Sequence, residues 1–501
     1  MNILMTVWEY FANNFLKTPA YFIGLITVIG YILLKKQWYE VFSGFIKATV
    51  GYKVLLVGSG GLSSTFKPII TALSNKFGID AMILDTYVGQ VAAQGAIETV
   101  GRSFGQVMVL LLIAFIFNIL LVRFQKVTKL RAVFTTGHVQ TQQATFAFWI
   151  FLTCFPQLGD TPMLILMAVL LGLYWAVGSN LTVETAQRLT DGAGFSVAHQ
   201  QMFGIAIYEW LGGKLFGGKT GHGKSFEEYE LPGWLSMFNE NTVSTSILML
   251  LFIGTIMIIT GKEALSAAGV AMPNGSFLFC ILDNSLAFAV YMAVLQLGVR
   301  IFVGELTNSF QGISNKLLPG AVPGLDCAAS YGFGSPNAVT FGFIFGAIGQ
   351  FLAIGILILT KSPVIALAGF VPVFFDNATI SVYVNAKSGA KAAMLASFIN
   401  GLLQVFCSVW AAQFFALDGV TVLTQTVNAK GWMAMFDWAV IWPIFGVIMH
   451  YLKYVGVAVI VVVLLAIPQL QYRRDPEGYF LCVSDYEAYK KHVEELNAKK
   501  K

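Results

Sequence analysis

Long apolar runs alternate with short polar interruptions along this chain, and the runs have the length of helices. A hydrocarbon core of about 30 Å takes about 20 helical residues to cross. Runs of that size lie near 18–35, 40–60, 104–124, 142–157, 162–179, 243–261, 279–303, 337–360, 364–384, 391–416 and 447–470. The pattern predicts an all-α polytopic membrane protein with about eleven transmembrane helices. Residues 1–17 carry Glu9 and three Asn and have no basic start, so they read as an amphipathic interfacial segment and not as a cleaved signal. The longest polar insert, 204–240, is expected as a cytoplasmic loop. Residues 471–501 are expected as a charged, partly helical cytoplasmic tail, too short for an attached catalytic domain.

Composition agrees with the pattern. Charged residues make up 11% of the 501, against about 25% in soluble domains. Apolar residues make up 56%, and mean hydropathy is +0.71. So few charges cannot cover that much apolar surface in water, which excludes an ordinary cytosolic enzyme. The net charge of +5 is too small and too scattered for nucleic-acid binding. Where the cations lie is more informative. Lys35 and Lys36, the Arg123–Arg131 stretch, Lys214, Lys219 and Lys224, and Arg473 with Arg474 lie at or after the ends of runs. The excess of cations on cytoplasmic loops puts these four groups inside, the N-terminus outside and the C-terminus in the cytoplasm. Eleven spans satisfy that arrangement. The five cysteines form no CxxC, so no metal cage or disulfide framework is expected.

Five polar segments interrupt the apolar pattern: 58–87, 135–146, 191–203, 304–338 and 374–385. Irregular polar backbone at membrane depth is tolerated where it lines a cavity or is buried in protein. Gly58, Gly60, Gly61 and Pro68 are expected to break one helix. Gly312, Pro319, Gly320, Pro323 and Gly324 are expected to break its counterpart. SSTFKPIITALSNKFGIDA resembles TNSFQGISNKLLPGAVPGLDCA, pairing Phe66 with Phe310, and QQATF resembles DNATI, pairing Ala144 with Ala378. The orientation above gives the two copies opposite directions. The expectation is therefore an inverted repeat, about 18–200 and 243–416, with re-entrant or broken helices gathering a binding site between the copies.

The candidate residues follow from those segments. His138 and Gln142 lie in GHVQTQQ, and His199 and Gln200 in AHQQ; imidazole and amide groups can donate to and accept from a polyhydroxylated solute. Asp326 is the most costly acid, between helix breakers, where it can accept from substrate hydroxyls. Thr86 and Tyr87 offer hydroxyls beside Asp85, which is expected at a helix end, and Ser59 sits at the first expected break. Glu305 and Asp376 suit a structural or a functional role equally. His222, His450 and His492 read as solvated or interfacial. GxxxxGK[ST], HExxH and GxSxG are all absent, and Cys482 has no glycine-rich anion nest around it. No nucleotide site, phosphorylation site, metal or cofactor is expected on this chain.

The segments GSGGLSSTFKPII, DTY, TGHVQTQQA, DGAGFSVAHQQMF, VGELTNSFQGISNKLLPGAVPGLDCAASYGFGSPNAVTFGF and FFDNATISVYVN resemble the ascorbate-specific permease (IIC) subunit of the bacterial phosphoenolpyruvate-dependent phosphotransferase system. The likeness covers roughly residues 15–470. Ala198 stands where that family is expected to carry Gly before His-Gln-Gln. The resemblance implies a homodimer in the bacterial inner membrane, each protomer with a core domain and a V-shaped dimerisation domain. It implies uptake of L-ascorbate by an elevator-like motion, with phosphorylation by a separate IIB subunit that is recharged by IIA. The substrate contacts it implies are Ser59, Thr86, Tyr87, His138, Gln142, His199, Gln200 and Asp326. The alternative reading is an ion- or proton-coupled carrier of a sugar acid or polyol, with Asp326 and His199 as the relay.

Overall fold

The computed structural model describes residues 19–77, 80–217, 224–228, 233–234, 237, 240–318, 320–369, 371–415 and 430–498. The expected amphipathic segment 1–17 lies outside the described residues, as do Lys219, His222 and Pro319. Helices dominate. Among the described residues, six stretches are long and apolar enough to cross a bilayer: Trp38–Gly58, Phe104–Arg123, Asp160–Thr190, Asn337–Leu359, Ala390–Phe414 and Asp437–Arg474. Met249–Thr260 and Phe277–Tyr291 are shorter apolar stretches.

The first helices are α1 (Pro19–Leu33) and α2 (Trp38–Phe77). The glycines expected to break α2 do not: the helix runs unbroken through Gly58, Gly60, Gly61 and Pro68. Its partner, which we label α10 (Phe277–Leu317), also passes through Gly312. Close packing is the physical reason. α2 lies along α10, and a Cβ at Gly61 would fall 2.1 Å from the ring of Tyr291. Small residues in such helices let neighbours approach instead of ending the helix. The break comes later, at Gly320, where φ is +84°.

Between these two lie β1 (Asp80–Leu84), α3 (Thr86–Thr99), α4 (Phe104–Arg123), β2 (Ala132–Phe134), α5 (Gly137–Cys154), α6 (Asp160–Leu181), α7 (Val183–Thr190), β3 (Ser196–Val197), α8 (Met202–Leu215) and α9 (Asn241–Thr260). Ser103 and Gln106 close a capping box at the start of α4, which fixes where that apolar run becomes helical. α8 occupies the first part of the expected 204–240 loop; its centre is apolar, and Ile205 and Tyr208 are buried. After α10 come β4 (Val322–Leu325), α11 (Pro336–Leu359), β5 (Val364–Ala368), α12 (Asn377–Ser388), α13 (Ala390–Phe414), β6 (Gly431–Trp432), α14 (Trp442–Arg474), α15 (Pro476–Ser484) and α16 (Tyr486–Ala498).

The apolar pattern predicts no strands, yet among the described residues there are two small parallel sheets. One has the order β5-β1-β6 and the other β2-β4-β3. The expected 364–384 span is a strand, a π-helical turn at Pro372–Asp376 and then α12. In each sheet the central strand follows a long helix, α2 or α10. The two flanking strands come from the other half of the chain. These strands satisfy the backbone of the irregular segments inside the protein.

Candidate functional site

The β2-β4-β3 sheet delivers three site residues to one place. β4 ends at Leu325 and Asp326 follows directly. β3 ends at Val197, two residues before His199. β2 ends at Phe134, and the chain then enters α5, whose first turn carries His138. Register is pinned by paired residues, Phe134 with Gly324 and Val197 with Leu325. The Thr135 hydroxyl donates to the Gly324 carbonyl at 2.6 Å, and the Ala198 N–H to the Leu325 carbonyl at 2.8 Å. Glycine is required at 324, because a Cβ there would lie 2.6 Å from the Ala198 methyl. The Ala198 methyl thus packs against β4 at Gly324.

The three side chains meet at one carboxylate oxygen. Asp326 Oδ2 is 3.4 Å from His138 Nε2 and 4.0 Å from His199 Nε2. Asp326 Oδ1 accepts from the Ala328 N–H at 2.9 Å and so caps the following 3-10 turn. The Asp326 side chain is 36% exposed, whereas His138 and His199 are buried, so the carboxylate is the open member. The ligating atoms of these residues all lie within 4.8 Å of one another, a grouping that could hold a cation or share a proton.

The expected glutamines adjoin this triad. Gln142 is one helical turn beyond His138, and Gln200 Nε2 donates to Gln142 Oε1 at 2.5 Å. Thr86 and Tyr87 open α3, and Asp85 caps that helix as expected, accepting from the Tyr87 N–H at 2.9 Å. Tyr87 lies within electrostatic reach of both Asp85 and Asp326. His138 Nδ1, Gln200 Oε1 and Thr86 Oγ1 are buried and have no protein partner among the described residues. Buried polar atoms are nearly always paired, so these three are free to meet a polar guest. Ser59 lies on α2, and its side chain is outside those described.

Sequence reasoning missed the residues that hold the site. Gln201 Oε1 lies 2.7 Å from His199 Nδ1, and its Nε2 donates to the Phe375 carbonyl. Gln143 Nε2 donates to the His199 carbonyl, while its Oε1 accepts from Trp175 Nε1 at 2.6 Å. Both residues stand in the same Gln-rich runs as the chosen ones, and only their facing distinguishes them. The two ambiguous acids serve packing. Asp376 Oδ2 accepts from Asn400, Gln404 and the Phe436 N–H inside the core, and Glu305 pairs with Tyr31 and Lys47. His492 is bonded to Asp475, and His450 packs on Phe414 and Tyr451.

Long apolar helices around an internal polar cluster, built at strand ends and helix starts, define a polytopic membrane permease. The chain belongs to the family described as the PTS system sugar-specific permease component, whose model matches residues 14–464. It is similar to a protein of Mycoplasma pneumoniae described as the "Ascorbate-specific PTS system EIIC component", at 33% identity over 440 residues. That alignment covers 80% of this chain and 66% of the relative, just under two thirds of the relative's length.

Proposed function

We propose that this chain is the membrane permease subunit that takes up L-ascorbate and presents it to a separate IIB subunit, itself recharged by IIA, for phosphorylation at the cytoplasmic face. The observation that carries this reading is the convergence of His138 and His199 on Asp326, adjoined by the Gln142–Gln200 pair, with His138 Nδ1, Gln200 Oε1 and Thr86 Oγ1 buried and unpaired among the described residues. The related protein of Mycoplasma pneumoniae supports the choice of solute.

The chemistry is coherent. Ascorbate at neutral pH is a monoanion with a delocalised enolate and several neutral hydroxyls. The starts of α3 and α5 bring positive helix ends, and the imidazoles and amides can donate to the enolate. Asp326 would repel that enolate, so it accepts from the hydroxyl end of the solute. Ser59 is kept as a further contact from α2. This assignment uses no metal and no cofactor.

Energy coupling is assigned to a partner, with the basic stretch around Lys214 and Lys224 as part of its dock. The protomer is proposed to be multi-pass in the bacterial inner membrane and surrounded by lipid, with the N-terminus outside and the C-terminus in the cytoplasm. In support, two of the cationic groups used for orientation lie on one side together. Lys129 Nζ sits 4.0 Å over the Tyr472 ring, and Gln469 donates to the Val127 carbonyl. The inverted repeat draws support from the exchange of flanking strands between the two sheets. A homodimer with a V-shaped dimerisation domain, and elevator-like motion of the core against it, complete the proposal.

The test is uptake of radiolabelled ascorbate by vesicles containing the protein, with and without purified IIB and IIA supplied in its phosphorylated form. Ascorbate phosphate should accumulate inside only with both partners. A second reading, proton-coupled carriage of a sugar acid or polyol, is favoured by two imidazoles facing one carboxylate. Uptake without IIA and IIB that collapses with an uncoupler would select it and overturn the first.

A further inference from the structure

Arg131 stands immediately before β2 and is fully buried, although it is a charge in a chain with few of them. Its partners come from far along the sequence. Nη1 donates to the Tyr479 carbonyl at 2.5 Å, and the guanidinium carbon lies 3.5 Å from the centre of the Tyr479 ring. Nε donates to Asn180 Oδ1 at 3.2 Å and Nη2 to Glu184 Oε1 at 3.4 Å. The Tyr479 hydroxyl donates to the Lys129 carbonyl at 2.6 Å and accepts from Asn180 Nδ2 at 3.0 Å. One tail tyrosine therefore holds the chain on both sides of Leu130 by ring, carbonyl and hydroxyl.

The same place is the root of the site sheet. The Arg131 carbonyl accepts from the Val322 N–H at 2.9 Å, the first rung between β2 and β4. Cys482 of α15 packs with Ala132, Val183 and Val322 in a small cluster of its own. β4 runs from Val322 to Leu325, and Asp326 follows. Tyr479 and Cys482 lie beyond residue 464, where the family match ends.

We propose that the C-terminal hairpin α15–α16 is a positioning element for the solute site, and that Tyr479, acting through Arg131 and the β2–β4 pairing, sets where Asp326 stands relative to His138. Removing the tyrosine ring and hydroxyl takes the aromatic face from a buried guanidinium and the hydroxyl's bonds from Lys129 and Asn180, and the strand root then loosens. The identity of the solute rests on the function proposed above; the placement of the strands does not.

The test uses full-length protein carrying Tyr479→Ala, Tyr479→Phe or Arg131→Lys, with Lys490→Ala as control. Amide exchange is read in β2 and β4 against β1 and β5, and the ascorbate dissociation constant is read alongside. Tyr479→Ala should speed exchange in β2 and β4 only, and weaken ascorbate binding about tenfold. Tyr479→Phe, which keeps ring and carbonyl, should weaken it about two- to threefold. On an Asp326→Asn background the Tyr479→Ala loss should largely vanish, because both changes act through one carboxylate. Exchange that is unchanged, or raised equally in both sheets, overturns the proposal, as does a binding loss that adds in full to Asp326→Asn. Should Tyr479→Ala not fold, Tyr479→Phe and Arg131→Lys carry the same comparison. Wild-type protein that binds no ascorbate would defeat the proposed function, and the exchange readout would then decide this inference alone.

Discussion

Replacing Asp326 by Asn isolates the charge of the site from its architecture. The side chain has two jobs. Oδ1 accepts from the Ala328 N–H, while Oδ2 faces His138 and His199 at 3.4 and 4.0 Å. Asn caps as well as Asp, so the first job survives and the fold should hold. The second is lost. A hydrogen bond from a neutral hydroxyl to a charged carboxylate contributes about 1.5–3 kcal/mol. At about 1.4 kcal/mol per decade, the variant should bind ascorbate roughly 10- to 100-fold more weakly. An enolate lying against Asp326 would give the opposite sign. Like charges about 4 Å apart repel by about 4 kcal/mol at an effective dielectric of 20, so deleting one would tighten binding. Calorimetric titration of purified protein with ascorbate, with melting temperature followed on the same samples, decides between the two. Equal or tighter binding by a variant of unchanged melting temperature would refute the assignment of Asp326 to the hydroxyl end.

Other expectations follow from the same coordinates. Treatment with a chelator should leave ascorbate binding unchanged; a loss restored by a divalent cation would mean that His138, His199 and Asp326 ligate a metal instead. Gly401→Ala should destabilise by about 1–3 kcal/mol, since the added Cβ would fall 2.2 Å from the Gly346 carbonyl oxygen, whereas Gly355→Ala meets nothing within 4 Å and should be neutral or stabilising by thermal unfolding. Burial pushes the Cys482 thiol up to about 12, so maleimide at pH 8 should label it only after unfolding. The unfolded thiol ionises near its ordinary value of about 8.5, so its contribution to stability is complete below that pH and is lost as pH climbs toward 12.

The polar members of the site were legible because they stand out against apolar sequence. His138, Gln142, His199, Gln200 and Asp326 each interrupt a run that would otherwise be lipid-compatible, and the structure gathers them. The strands were not legible. VIALA at 364–368 has no period of its own, because it is buried on every side, and a short apolar run reads equally well as helix. Glycine misled for a related reason. Gly61 and Gly320 look alike in sequence, yet one admits a neighbouring helix and the other takes a left-handed turn. What separates them is a contact with Tyr291, far along the chain. The tail misled through its charges: they remain on its surface, while Tyr479 and Cys482 are turned inward onto β2 and β4.

The exchange of strands between sheets constrains how such a site can move. β4 cannot shift without β2 and β3, and β1 cannot shift without β5 and β6, because each central strand is hydrogen-bonded on both edges. His138, His199 and Asp326 therefore hold their mutual distances in any displacement that keeps the sheet intact, and α3 with Thr86 and Tyr87 travels with β1. A packed interior with ladder bonds on both edges resists internal deformation, so motion falls to the joints outside it. The α10-to-β4 connection lies outside the sheet. It carries Gly320 at φ +84°, a conformation that costs glycine little and other residues more. The elevator-like motion proposed above would require the site to move as one body about such connections, so that a bound solute keeps its hydrogen bonds.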